Sequence, residues 1–214
     1  MTFTDGLIST LTGVAASYFV WWFTFRFLTP KVNFAESISR IPTKDNPSGF
    51  KYRFKFENIG LRNMIDIEVV IRVRIKGLRP DIQGNWEVVY LPISSLPYQK
   101  LAIVRPVYRK DKKRVRPVFE IKAYACDYFQ KSFFNEETRK RSAEQTLTLD
   151  HVLKLGREAN LQVLLFAYDE YSGARKFFES DVMTAGDIVD GYFDRKSVAV
   201  IAGVSKEETE DIEE

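Results

Sequence analysis

Ile65, Ile67, Val69, Ile71, Val73 and Ile75 alternate without a break against Asp66, Glu68, Val70, Arg72, Arg74 and Lys76. A helix would scatter these six β-branched side chains around its axis. A strand sends successive side chains to opposite faces and gathers all six on one. Such a strand has one apolar face that must be buried against a second layer. The chain repeats the pattern just upstream, where Phe50, Tyr52, Phe54 and Phe56 alternate with Lys51, Arg53, Lys55 and Glu57. Asn58-Ile59-Gly60 supplies a turn between the two runs.

Weaker strand signals follow. Trp86–Leu91 ends at Pro92, and Leu101–Arg109 contains Pro106, which marks an edge or a bulge. Val118–Cys126 places Phe119, Ile121, Ala123 and Ala125 on one face. Asn135–Gln145 is polar and reads as a short helix or a loop. Leu161–Tyr168 is nearly continuous in apolar residues, as in a strand buried on both faces. Asp169–Gly173 is a turn, Ala174–Asp181 pairs back as a hairpin, Thr184–Asp190 starts like a short helical turn, and Ser197–Val204 is a last strand. Seven to eight short strands define a mainly β chain, an immunoglobulin-like (E-set type) β-sandwich over residues 50–204. Residues 32–49 read as a linker, with Pro42, Pro47 and Gly49 at its end.

Residues 1–31 are of another kind. From Gly6 to Phe25 twenty residues carry no formal charge. A helix of that length spans ~30 Å, the thickness of a bilayer core. Tyr18, Trp21 and Trp22, followed by Arg26 and Lys31, form the aromatic and cationic flank that an interface selects. No Lys or Arg precedes the segment, so a cleaved signal peptide lacks its basic start. Arg26, Lys31, Arg40 and Lys44 follow it. The positive-inside rule then sets a single-pass anchor in the cell membrane, short N-terminus outside and body in the cytoplasm. Ser9, Gly13 and Ser17 lie four apart on one helix face and allow close helix–helix approach.

Charge and composition exclude more than they select. The chain of 214 residues has 32 Lys and Arg against 29 Asp and Glu, a net charge of +3. Its end, from Ser205 to Glu214, sets Lys206 against Glu207, Glu208, Glu210, Asp211, Glu213 and Glu214, and reads as an acidic disordered tail of −5. Removing that −5 from +3 leaves +8 on residues 1–204. One Cys, Cys126, excludes an internal disulfide and a multi-cysteine zinc site, and one His, His151, excludes a His-rich metal centre. Asp169-Glu170 falls in a turn, where adjacent carboxylates face solvent. Asp150 and His151, read as strand neighbours, point to opposite faces and cannot form a dyad. No phosphate-binding glycine loop or nucleophile elbow is present, and no catalytic residue, cofactor or metal site is expected. The densest basic stretch holds Arg109, Lys110, Lys112, Lys113, Arg114 and Arg116. It reads as a hairpin tip, solvated or docked on anionic lipid. Without an aromatic stacking motif no nucleic-acid partner is expected.

The order of these features resembles the cytoplasmic domain of inward-rectifier potassium channels, including the bacterial ones, over about Arg26 to Asp194. That family leaves its inner helix through an aromatic-Ala-Arg-Pro-Lys stretch. Here the run is Phe27-Leu28-Thr29-Pro30-Lys31, then Phe34, with Thr29 in the arginine's place. Phe56-Glu57-Asn58-Ile59-Gly60-Leu61-Arg62, followed by Met64-Ile65-Asp66-Ile67-Glu68-Val69, is similar to its strand, Asn-Leu-Arg-like turn and next strand. Leu149-Asp150-His151-Val152-Leu153-Lys154 keeps the family's His. Ala167-Tyr168-Asp169-Glu170, the 174–181 segment and Thr184-Ala185-Gly186-Asp187-Ile188-Val189-Asp190-Gly191 match its closing hairpin, with Asp190 replacing a Trp. The resemblance implies an immunoglobulin-like sandwich that assembles with other copies, and anionic-lipid contact at Arg26 and Lys31. A potassium filter needs a Thr-x-Gly-Tyr-Gly-type carbonyl loop and a second membrane helix, and this chain has neither.

The expected function is a non-enzymatic, membrane-anchored sandwich that assembles or senses at the membrane. Its expected partners are lipid and further copies of itself. Two alternatives stand beside it: an effector whose helices form an unselective pore on oligomerisation, and an accessory subunit of a channel or transporter.

Overall fold

The computed structural model describes residues 3–27, 29–43, 49–79, 84–93, 100–107 and 116–203. A long helix, α1 (Phe3–Phe27), leads into a body of two sheets. The strands are β1 (Val32–Phe34), β2 (Ile38–Pro42), β3 (Phe50–Asn58), β4 (Met64–Lys76), β5 (Trp86–Leu91), β6 (Lys100–Val104), β7 (Val118–Ile121), β8 (Glu158–Asp169), β9 (Arg175–Glu179), β10 (Ile188–Phe193) and β11 (Val200–Ala202). Two short helices, α2 (Glu136–Ala143) and α3 (Leu149–Val152), lie between β7 and β8.

In the first sheet β3 is central. Tyr52 pairs with both Arg40 of β2 and Ile121 of β7, so β2 and β7 flank β3 on opposite sides. β1 lies on the β2 side, and β10 then β11 extend the sheet outward from β2. The β2–β10 pairing is parallel; the others are antiparallel. In the second sheet β4 carries β5 and β6 end to end on one side and β8 on the other, and β9 closes the far edge.

One core lies between the sheets. Phe54, Phe56 and Phe119 from the first sheet share it with Ile67, Ile71, Ile75, Leu161 and Leu165 from the second, all essentially inaccessible to solvent. Phe56 and Phe119 stack with centroids 5.7 Å apart. Burying each such side chain stabilises the fold by ~1.5–3 kcal/mol. The mainly β architecture read from the alternation is present.

Several expectations change: the Val118–Cys126 run is a strand only to Ile121, a helical turn follows over Ala123–Ala125, and Ala125 is exposed. Residues 32–49 are not a linker throughout: β1 and β2 occupy Val32–Pro42, and Ile38 and Ile41 are core residues. The sandwich therefore starts at Val32. In β4 the inward set begins with Met64 and Ile67, and Ile65 is only half-buried. The cause is a bulge at Asp66, whose φ is 47° and where the β8 register shifts; one extra residue moves the face by one. Asp150 and His151 sit on α3, not on a strand, capped by Thr148, whose hydroxyl accepts the His151 N–H at 3.2 Å.

The outer faces differ. On the first sheet Lys55 and Glu57 are buried although they alternate with the core phenylalanines. On the second, Val88, Tyr90, Ile103, Tyr168 and Phe177 are exposed. Along α1 every described side chain from Ile8 to Phe23 is exposed, on all faces of the helix.

Candidate functional site

The end of the sandwich that receives α1 is built by the β3–β4 turn. Asn58 is fully buried and holds this turn in shape: its amide donates to the Arg62 carbonyl at 2.7 Å and the Val104 carbonyl at 3.3 Å, and its Oδ1 accepts Gly60 N–H at 3.0 Å. The Lys31 carbonyl then accepts Ile59 N–H at 2.8 Å and Gly60 N–H at 3.2 Å. A Cβ on Gly60 would lie 2.3 Å from Lys31 N, 2.6 Å from Thr29 O and 2.7 Å from Pro30 C, so only glycine allows this approach. The chain leaving α1 is thus clamped to the sandwich, and the Lys31 side chain stays exposed.

The β8–β9 turn reinforces the clamp. Asp169 is buried and ion-paired with Arg62 at 3.1 Å. It also accepts from Ser172 Oγ at 2.7 Å and Tyr171 N–H at 3.1 Å. Burial alone would raise its pKa; these hydrogen bonds overcome that and hold it below the usual carboxylate range. The expectation that the Asp169-Glu170 pair faces solvent therefore fails for Asp169. Glu170 instead accepts from Asn63. Arg62 also lies over the Tyr171 ring, 4.3 Å from its centroid.

Beside the turn is a buried charge cluster. Arg116 Nε sits 2.6 Å from Glu57 Oε2, with only 9% and 11% of the two side chains exposed. Asn33 Nδ2 donates to the other Glu57 oxygen at 3.1 Å. Arg116 Nη1 donates to the Arg195 carbonyl at 3.1 Å, and Lys55 Nζ donates to the Asp194 carbonyl. Burial, then the Arg116 charge, pushes the Lys55 amine down from its ordinary pKa. Arg116 is thus a buried partner of Glu57 and not a member of a solvated basic tip. Arg109, Lys110, Lys112, Lys113 and Arg114 lie outside the described residues. Their two flanks are fixed here: Val107 N–H donates to the Asn58 carbonyl at 2.9 Å, and Arg116 is held by Glu57.

A third network ties the last strands to the body. Arg40 meets Asp190 in a two-point pair, 2.5 Å from Nε and 2.7 Å from Nη2, and reaches both Asp150 oxygens at 3.2 Å. Tyr52 also donates to Asp150. The Arg40 hydrogen bond is the main reason that Asp190 is held low. Burial, then Asp150, raises the Tyr52 phenol. His151 shares a 3.0 Å hydrogen bond with Thr138, and burial followed by the Arg141 charge lowers its pKa. Cys126 is buried, its thiol pushed up chiefly by burial. Thr138, whose hydroxyl meets the His151 ring, is itself fully buried. Among the described residues no group of three or more His, Cys, Asp or Glu side chains could hold a metal ion.

On α1, Ser9, Gly13 and Ser17 share one face, and no atom lies within 4 Å of a Cβ built on Gly13. Trp21 and Trp22 are exposed; Trp21 packs 5.8 Å from Tyr18 and Trp22 6.2 Å from Phe19. Arg26 lies in the last turn of the helix. Among the described residues no helix is long and apolar enough, by mean hydropathy, to cross a membrane. The Asn58 and Arg62–Asp169 supports were not singled out from sequence; the signal was an Asn-x-Gly turn beside a second turn with an acidic pair. No family model matches this sequence, and no curated protein matches it.

Proposed function

We propose that this chain is a non-enzymatic, single-pass membrane protein whose cytoplasmic sandwich assembles or senses at the membrane, similar to the cytoplasmic domains of inward-rectifier channels. One observation carries the reading: α1 exposes Ile8, Leu11, Val14, Phe19, Val20 and Phe23 on every side. A helix with large apolar side chains exposed on every side lacks the single apolar stripe of a surface helix and needs an apolar surround. Its 25 residues make ~37 Å, more than the ~30 Å that a span requires. Its hydropathy is lowered by hydroxyl residues. Thr10 and Thr12 donate to the Gly6 and Ile8 carbonyls at 2.9 and 2.8 Å, so these groups are satisfied within the helix and cost less in lipid than hydropathy assigns them. Ser9, Gly13 and Ser17 form the helix–helix contact. Trp21, Trp22, Arg26 and Lys31 sit at the interface, and the charges of Arg109, Lys110, Lys112, Lys113 and Arg114 add attraction to anionic headgroups.

The test is fractionation of cells expressing the full chain, followed by an alkaline carbonate wash. Retention in the washed membrane supports the anchor. Recovery in the soluble fraction as a defined oligomer shows that α1 is covered by protein and overturns it.

A further inference from the structure

We infer that β9 is a self-complementary edge through which two copies of this chain join their second sheets into one. Among the described residues β9 has a single neighbour, β8, in a ladder of five pairs with no register shift. Asp169 N–H donates to the Ala174 carbonyl at 3.0 Å and Ser180 N–H to the Val163 carbonyl at 2.9 Å, one on each side of this ladder and in the same register. Bonded and non-bonded positions alternate in an antiparallel pair. Residues 174, 176, 178 and 180 therefore bond to β8, and Arg175, Phe177 and Glu179 turn their N–H and C=O groups to the open edge. No proline or bulge blunts it.

The occupant follows from charge symmetry. Arg175 and Glu179 stand two residues either side of Phe177. A two-fold axis at Phe177 sets Phe177 against its own copy, Arg175 against the other chain's Glu179, and Glu179 against the other chain's Arg175. These are the three positions whose backbone groups are open, so a single register satisfies the backbone and pairs opposite charges. Such a contact is isologous and closes at two chains. Phe177 is 53% exposed and packs 5.1 Å from Phe166 within its own chain, so the aromatic row continues across the axis. Arg175 keeps 56% of its side chain exposed, 3.7 Å from Glu68 and over the Phe166 ring, and Glu179, 38% exposed, pairs with Arg72 at 2.5 Å, so the inter-chain pairs extend charge contacts that each chain already makes. The longer edge strand β5 carries no such symmetry: Trp86, Val88 and Tyr90 alternate with Glu87, Val89 and Leu91. The inference stands on β9 alone and is independent of what covers α1.

The test is cysteine crosslinking of the full chain in detergent, in a Cys126→Ser background. Phe177→Cys places two thiols on the axis, at the ~5.5 Å Cα separation that a disulfide accepts. Phe177→Cys is expected to give a two-chain band under mild oxidation, and Val88→Cys on β5 none. Adding Arg175→Glu, or Glu179→Arg, to Phe177→Cys turns both charge pairs repulsive and lowers the yield about tenfold. Mixing the Arg175→Glu chain with the Glu179→Arg chain restores opposite charges at both pairs and recovers the band. No band from Phe177→Cys overturns the inference, as does an equal band from Val88→Cys. A band from Phe177→Cys that neither reversal weakens places the contact elsewhere and also refutes it. Circular dichroism on each variant separates these results from loss of fold.

Discussion

Replacing Arg116 by Ala would leave the buried Glu57 carboxylate without its ion-pair partner. Removing one partner of a buried ion pair costs ~3–5 kcal/mol, because the remaining charge keeps its desolvation penalty. The lower end applies: Asn33 still donates to one Glu57 oxygen, and 11% of the side chain touches solvent. The bond from Arg116 to the Arg195 carbonyl is lost as well, at ~1 kcal/mol. A total loss of ~4 kcal/mol in a domain of this size lowers Tm by ~8–16 °C. The assay is thermal unfolding of the full chain followed by circular dichroism. Replacing both partners, Glu57→Gln with Arg116→Met, removes the charges together and is expected to return stability to within ~1 kcal/mol of the parent. A single-variant loss under ~1 kcal/mol would refute the reasoning and return Arg116 to a solvated loop. Arg116 also depresses Lys55, so in Arg116→Ala the Lys55 amine becomes more basic, a shift open to NMR titration.

Other outcomes follow from the same contacts. His151 is the only histidine, so its ring gives one titrating NMR resonance, with a midpoint below the ordinary 6.5. Its folded pKa is depressed, so the unfolded chain takes up the proton first. Stability is therefore complete above pH ~6.5 and falls as pH drops toward the folded midpoint, a slope that His151→Gln should flatten. Gly60→Ala forces a Cβ into the Thr29–Lys31 backbone and should cost ~1–3 kcal/mol, with faster amide exchange at Ile59 and Gly60; unchanged exchange there would contradict the clamp. If Ser9, Gly13 and Ser17 form a helix–helix seam, Gly13→Leu should reduce crosslinking between α1 helices in membranes and leave membrane retention intact.

What could be read from the residues divides by the range of the interaction that decides it. The period of β4 is local, so its strand state was legible from Ile67 to Ile75. The Asp66 bulge was less so, because Met64 and Ile65 are both apolar and either could face inward; the ladder with β8 decides between them. Val32–Pro42 looked like a linker because three- and five-residue strands are too short to show a period, and Pro42 marks a break. Pairing with β3 makes them strands, and that pairing is visible only after folding.

The candidate site was legible in its cations and not in their partners. Lys31, Arg62 and Arg116 stand out as charges, but charge alone does not distinguish a solvated side chain from a buried one. Lys55 alternates with core phenylalanines and so reads as outward, yet its amine meets the Asp194 carbonyl 139 positions along the chain. The 193–195 segment, where β10 ends, lies over that face of the first sheet and turns its polar row into an interior. No described segment does the same for the second sheet, where Phe177 and Tyr168 remain exposed. The two faces have similar alternation and opposite fates. An apolar row that the described residues leave open, beside an edge whose charges are symmetric about Phe177, is the surface that the proposed two-chain contact would bury.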